Sequence, residues 1–516
     1  MPLRRLAPAL AVSMMAALAP ALATTPAAAA PSPGAVPPAT HAPGNLTWRG
    51  CGPDLPAALE CATVRVPLDY QRPRGPQLDV AISRIAATDP AKRRGALLIN
   101  PGGPGAWGLD MPAYLQGAFP ASVRERYDLI GLDPRGVGSS APVTCGLSPE
   151  ELDGERAYTT AAFPRHTAVT RSIADKCREK YGAATLKHFT TRNTARDMDL
   201  IRIALGDRKL NFLGYSYGTY LGAVYAQMFP RRVDRFILDS AIDPGNAWRE
   251  SFRGWAPEAE RAFQRWTAWT AARSTSYGLG ATPAAVSRTF WEIVAQADRE
   301  PVRVGSALFD GAQLRAVSRT KFFTLRAGAE WVVTLKKAAA GETTPELPPA
   351  YYWDDNATAM FWTVVCGDAP WSKDPESYRR EAIRDAVRYP LYGDYAGNIA
   401  PCAFWEKGAE PATGIDNDVP MLILQNEWDS QTPLTNARGM RRALDGSRMV
   451  TVDEGEGHGV YGTLVSDCAE SVANAYLLTG RLPVQDTTCG ANPAQRQRTG
   501  GKAPVPLPGV GPLQVR

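Results

Sequence analysis

LNFLGYSYGTYLGAVY, residues 210–225, passes from a short apolar run through Gly214-Tyr215-Ser216-Tyr217-Gly218 into a segment of small and aromatic residues. Strand, G-x-S-x-G, helix is the context of a nucleophile elbow, in which a strained turn lifts a serine hydroxyl above the end of a strand. Backbone then comes close at positions 214 and 218, where only glycine fits. Ser216 is the candidate nucleophile, and the stretch predicts an α/β-hydrolase fold: a mostly parallel sheet flanked by helices.

A serine hydroxyl needs a base, and the chain has only four histidines. His41 falls in a Pro/Ala-rich leader, and His166 and His188 precede the nucleophile in loop and helix surroundings. His458 sits in Gly455-Glu456-Gly457-His458-Gly459, just after the strand-like run 449–452. That order, Ser then acid then His, is the hydrolase order. Asp429, following the strand-like run 421–424, is the expected acid, with Glu427 and Asp239 as competitors. Its role would be to hold one imidazole tautomer and stabilise the imidazolium.

Acyl chemistry on Ser216 also requires two N–H groups aimed at the developing oxyanion. Tyr217 supplies one. Asn100-Pro101-Gly102-Gly103-Pro104-Gly105, after the apolar run 96–99, supplies the other, through Gly103. The same glycines spell G-x-G-x-x-G at Gly103, Gly105 and Gly108, the fingerprint of a dinucleotide-binding turn, with Asp133 posing as the ribose acid. Pro104 suits a helix-opening turn badly, 132–140 continues as a turn-rich loop, and the triad would go unexplained. The oxyanion reading wins.

Working outward, half-buried strands are expected over 63–68 and 78–83, central strands over 96–99 and 129–132, and a helix over 193–205 closed by Gly206. Alternating strand and helix argue for the mostly parallel sheet. From Asn246 the texture changes to helical patterning rich in tryptophan (Trp248, Trp255, Trp266, Trp353, Trp362 and Trp371 among others), and strand patterns resume after Asp418. The expected organisation is a signal peptide over 1–30, a leader over 31–45, hydrolase core over 46–245, an inserted helical cap over 246–418, core again over 419–494, and a loose tail over 495–516.

Arg4-Arg5 before an Ala-rich apolar run with small residues behind it reads as a secretory signal, by an export route that stays open; Pro8 and Pro20 make a membrane span a poor alternative. Secretion makes disulfides the expectation for the eight cysteines, and neighbour pairing is the simplest connectivity: Cys51 with Cys61, Cys145 with Cys177, Cys366 with Cys402, Cys468 with Cys489. Neither C-x-x-C nor clustered histidine favours a metal. A net charge of +5 without a dense Lys/Arg tract argues against nucleic acid. No membrane partner is expected once the signal is removed, and a monomer is expected.

Asn100 to Gly105, Asp133-Pro-Arg-Gly-Val-Gly-Ser139, Gly214 to Gly218, Asp429 with its flanks and Gly457-His458-Gly459 together resemble the secreted actinobacterial tripeptidyl aminopeptidases, relatives of the prolyl iminopeptidases. The likeness runs from about Trp48 to Cys489. It implies a hydrolase core with a helical cap, no cofactor, an oligopeptide substrate, and removal of short peptides from free N-termini, with Ser216, Asp429 and His458 as triad and Gly103 and Tyr217 at the oxyanion. Ala106-Trp107 departs from the small residues usual after the glycine loop, so Trp107 is expected to narrow the pocket. An exopeptidase must bind an ammonium, for which Asp354, Asp355 and Asp368 are available; Asp368 is named. Two other readings stay open: an esterase or lipase-like hydrolase, and a silent binding module.

Overall fold

A computed structural model of the chain describes residues 46–154, 156–347 and 353–493. The signal peptide, leader and tail expected over 1–45 and 495–516 lie outside them. Ten strands form the main sheet: β1 (Arg49–Gly50), β2 (Glu60–Pro67), β3 (Gln77–Ile85), β4 (Gly95–Asn100), β5 (Tyr127–Leu132), β6 (Leu210–Tyr215), β7 (Val233–Asp239), β10 (Leu422–Trp428), β11 (Arg448–Glu456) and β12 (Thr487–Gly490), with β8 (Val302–Val304) and β9 (Ala307–Phe309) forming a separate pair. The order is β1-β2-β3-β5-β4-β6-β7-β10-β11-β12. Every ladder from β5 to β12 is parallel, and the β1–β2, β2–β3 and β3–β5 ladders are antiparallel.

The central strands read as continuous apolar runs because both faces are covered. Side chains alternate along each strand, so Leu98, Ile130, Phe212 and Ile423 enter one core with the helices Phe163–Tyr181, Thr191–Ala204 and Tyr217–Met228. Leu97, Ile99, Leu213 and Leu424 enter the other, with Met111, Leu115 and the helix Asp467–Thr479. The helix expected over 193–205 runs Thr191–Ala204; it starts early because Thr190 accepts the N–H of Asn193 and caps it. β1 and β12 were not expected; at two and four residues they carry too little alternation to read.

Register brings the strand ends level: Asn100 pairs with Gly214, Tyr215 with Asp239, and Asp239 with Leu424. β4 lies between β5 and β6, so the chain reverses its winding direction there. The crevice outside the carboxyl ends of strands at such a point is where doubly wound sheets bind ligands.

Between β7 and β10 the chain leaves the sheet. Helices Trp255–Ala271, Pro283–Arg299, Gly311–Lys321 and Leu325–Ala339 pack around a third core containing Phe263, Trp266, Phe290, Phe322 and Trp331. This segment is not purely helical: β8 and β9 form an antiparallel hairpin across Gly305-Ser306. Gly305 takes φ of +59°, the conformation a two-residue hairpin turn demands, and V-R-V and A-L-F alternate on either side.

The structure joins Cys51–Cys61, Cys145–Cys177, Cys366–Cys402 and Cys468–Cys489. Cys366–Cys402 closes a 36-residue separation and ties the helix Asp355–Asp368 to the turn Pro401–Ala403. Replacing both cysteines by serine is expected to destabilise the protein by about 3–4 kcal/mol through loop entropy returned to the unfolded chain. Urea unfolding checks it; an unchanged midpoint would mean that packing alone holds that wall.

Candidate active site

β6 ends at Tyr215, and Ser216 follows with φ of +56° at the mouth of the helix Tyr217–Met228. The turn is tight: a Cβ on Gly214 would lie 2.4 Å from the Gly218 carbonyl oxygen. The Ser216 N–H donates to the Asp239 carbonyl at 3.0 Å, fastening the elbow to β7. Tyr217 occupies the first helical position, where a backbone N–H has no helical acceptor.

The loop after β4 presses on this turn. A Cβ on Gly102 would lie 2.9 Å from the Ser216 Cβ, and Gly103 shares with Ser216 the wall of one cavity. The dinucleotide alternative fails here. Asp133 Oδ1 accepts the N–H groups of Gly108 and Leu109 and Oδ2 that of Ser139, so its carboxylate is consumed in holding the loops.

Asp429 and His458 arrive from the loops after β10 and β11. His458 Nδ1 lies 2.8 Å from both Asp429 oxygens. Asp429 Oδ1 also accepts from the N–H groups of Gln431 and Thr432, and Oδ2 from the Thr432 hydroxyl at 3.1 Å. Burial alone would raise the Asp429 carboxyl, but the His458 ring and these donors together hold it below the usual carboxylate range. His458 Nε2 is buried without a hydrogen-bond partner. An imidazole fixed through Nδ1 with Nε2 unengaged can accept a proton from a nearby hydroxyl. Glu427, the neighbouring competitor, accepts the Glu454 N–H instead.

Asp239, the other competitor, does something different. Its carboxylate accepts from the N–H groups of Val460 (2.9 and 3.0 Å) and Tyr461 (2.7 Å), while Ser240 Oγ accepts from that of Gly459 at 2.8 Å. It anchors the loop that carries His458. Burial pushes it up to about 7 against those donors.

Two of the sequence expectations are corrected. Trp107 is 51% exposed and does not line the cavity, so it does not narrow it. Asp368 does not line it either: its oxygens accept the N–H (2.8 Å) and hydroxyl (2.6 Å) of Thr191, whose hydroxyl lies 2.8 Å from the Tyr217 phenol. Burial raises its carboxyl to about 6, opposed by those donors, and it serves packing behind the wall. Asp354 caps a helix through the Ala357 N–H, and Asp355 accepts from the N–H groups of Cys145 and Gly146. His166 faces Asn398 and His188 faces Asp69.

Sequence reasoning missed the contacts by which the inserted segment grips the Asp429 loop. Trp255 Nε1 donates to the Gln431 carbonyl at 2.6 Å, and Arg319 Nη1 to the Ser430 carbonyl at 3.1 Å. The Arg319 guanidinium lies between the rings of Trp255 (4.7 Å) and Tyr392 (4.6 Å). Arg265 covers the Trp428 ring at 3.7 Å and reaches Glu456 at 3.4 Å. These residues look like ordinary helix members in one dimension.

The cavity over Ser216 measures about 1500 Å³ counted out to its open mouth. Trp248, Phe252, Trp255, Phe361, Trp362 and Trp371 supply most of its apolar wall, and Gln431, Thr432 and Asn436 reach it from the core.

Residues 95–304 match the family described as alpha/beta hydrolase fold, and residues 389–489 the family described as TAP-like protein. The chain is 34% identical over 483 residues to the tripeptidyl aminopeptidase of Streptomyces lividans, covering 88% of each. It is 30% identical over 477 residues to serine protease Hip1 of Mycobacterium tuberculosis, covering 84% of this chain and 88% of that protein. To a carboxylesterase B of the same species it is 31% identical over 483 residues, covering 86% and 89%. The elbow, the acid and base loops and the long collinear match lead to one assignment: the chain belongs to the α/β-hydrolase family of the tripeptidyl aminopeptidases.

Proposed function

We propose that this protein is a secreted serine aminopeptidase that releases short peptides, three residues at a time, from free N-termini. The observation that carries the chemistry is the His458 ring, held through Nδ1 at 2.8 Å from Asp429 while Nε2 is buried without a hydrogen-bond partner. In this reading Ser216 attacks the scissile carbonyl as His458 takes its proton, and the N–H groups of Gly103 and Tyr217 receive the oxyanion. The leaving amine takes the proton from His458, and water then releases the acyl group by the reverse sequence.

The name of the Streptomyces relative supports the specificity, and the four disulfides fit export. The segment between β7 and β10 is the cap in this reading, and its aromatic wall suits an N-terminal ammonium, which ring faces attract. A second reading, an esterase, is favoured by one feature: among the described residues no carboxylate lines the cavity.

The test is hydrolysis of a tripeptidyl anilide with a free and with an acetylated N-terminus. Cleavage confined to the free form is expected, by a factor on the order of 10² or more, because blocking removes the recognised charge. Equal cleavage would sink the exopeptidase, and rapid turnover of a simple acyl ester with no anilide cleavage would replace it with the esterase.

A further inference from the structure

Two arginines line the cavity over Ser216, Arg156 and Arg249. Arg249 is neutralised: Nε and Nη2 both bond Glu381, and its guanidinium rests 4.0 Å over the Tyr378 ring. Arg156 is not. Its Nη2 donates to the Glu150 carbonyl oxygen at 2.6 Å, and among the described residues no carboxylate forms a salt bridge with it.

The nearby acids are engaged elsewhere or act through space. Glu150 pairs with Arg165 at 2.7 Å and Glu151 with Lys176 at 2.5 Å, and the charges of Asp153, Glu150 and Glu151 attract Arg156. His166, on the helix packed beside them, is pushed down to about 4 by burial and the neighbouring arginines, so it is neutral at physiological pH. Burial lowers the Arg156 pKa despite the three acids. Among the described residues, this half-buried cation has no carboxylate in salt-bridge contact to offset its desolvation. Its backbone is held: Asn398, itself on the cavity wall, donates through Nδ2 to the Arg156 carbonyl at 2.8 Å, and the Asn398 Oδ1 accepts the Ile399 N–H.

We propose that Arg156 anchors a carboxylate subsite, so that the cavity takes peptides carrying an anionic group, either an acidic side chain or a free C-terminus, within reach of Arg156 and Asn398. This rests on the peptide-binding reading above and adds the substrate class. A planar guanidinium meets a carboxylate with two parallel N–H bonds, a geometry an ammonium does not reproduce.

The test reads occupancy of the cavity independently of peptide hydrolysis, as protection of Ser216 against a fluorophosphonate. Four probes are compared: Ala-Ala-Glu and Ala-Ala-Gln, each as free acid and as C-terminal amide. At least one carboxylate is expected to lower the half-protecting concentration about ten- to hundredfold relative to the Gln amide, the range for a hydrogen bond to a charged group. The Glu amide reports the side chain, and the Gln acid the C-terminus. In Arg156→Gln the ratio falls toward one, and Arg156→Lys keeps part of it.

Equal protection by all four probes, no protection by any, or a preference that survives Arg156→Gln would overturn the subsite. Should that variant fail to fold, the ratio in the native enzyme and its partial loss in Arg156→Lys decide: an undiminished ratio in Arg156→Lys overturns the subsite. A carboxylate preference without hydrolysis of any peptide keeps the subsite and sinks the peptidase; hydrolysis without preference does the reverse.

Discussion

Ser216→Ala is expected to lower kcat by a factor on the order of 10⁵–10⁶, the largest single effect in the molecule. The elbow holds the hydroxyl in place at an energetic cost: φ of +56° on a serine and a Gly214–Gly218 approach that admits no Cβ. Removing the oxygen leaves that geometry and the N–H groups proposed to receive the oxyanion intact, so the loss reports nucleophilic attack. If Ser216 and His458 act as a unit, as proposed, Ser216→Ala combined with His458→Ala is expected to be no slower than Ser216→Ala alone. Initial rates on the free tripeptidyl anilide decide it. A residual rate within tenfold of the parent would remove Ser216 from the chemistry, and additive losses would mean that His458 serves some other step.

The turn at Ser216, the glycine loop and the loops that carry Asp429 and His458 could be placed from the sequence because each is local: a strand, a turn chemistry, a few residues. The central strands were readable for the same reason, since burial on both faces turns 96–99 and 129–132 into continuous apolar runs. What failed depended on tertiary packing. Asp368 looked available among the cap tryptophans, but Thr191, 177 residues away in sequence, takes both of its oxygens. Trp107 follows the oxyanion loop directly, yet the chain turns it outward to solvent. Asp239 was weighed only as a rival acid; that it instead bonds Val460 and Tyr461, over 220 residues on, follows from the β7–β10–β11 order and from nothing near it in sequence. Arg319 and Trp255 are the same case. Their grip on Ser430 and Gln431 comes from how the insertion folds back over the sheet.

Asp429→Asn is expected to lower kcat by about 10⁴-fold, close to 5.5 kcal/mol of transition-state stabilisation. The structure dictates which way the new amide faces. Asp429 Oδ1 accepts two backbone N–H groups, from Gln431 and Thr432, and an amide nitrogen in that place would set donor against donor. The asparagine oxygen therefore keeps the Oδ1 position and its NH₂ takes that of Oδ2, 2.8 Å from His458 Nδ1. There it donates to Nδ1, which favours the tautomer with the proton on Nε2, the atom that in the proposed mechanism receives the serine proton. Since the native carboxyl lies below its ordinary range, its contribution to stability is complete above about pH 4 and is lost as pH falls through the lowered value, so the defect persists across neutral pH. Asp239→Asn makes the same chemical change one strand earlier with a different consequence. It loosens the N–H bonds to Val460 and Tyr461 without touching the imidazole tautomer, and a loss of about tenfold is expected. Comparing kcat of the two variants at neutral pH settles which carboxylate serves His458: a larger loss for Asp239→Asn would move the acid to the end of β7 and leave Asp429 as the anchor.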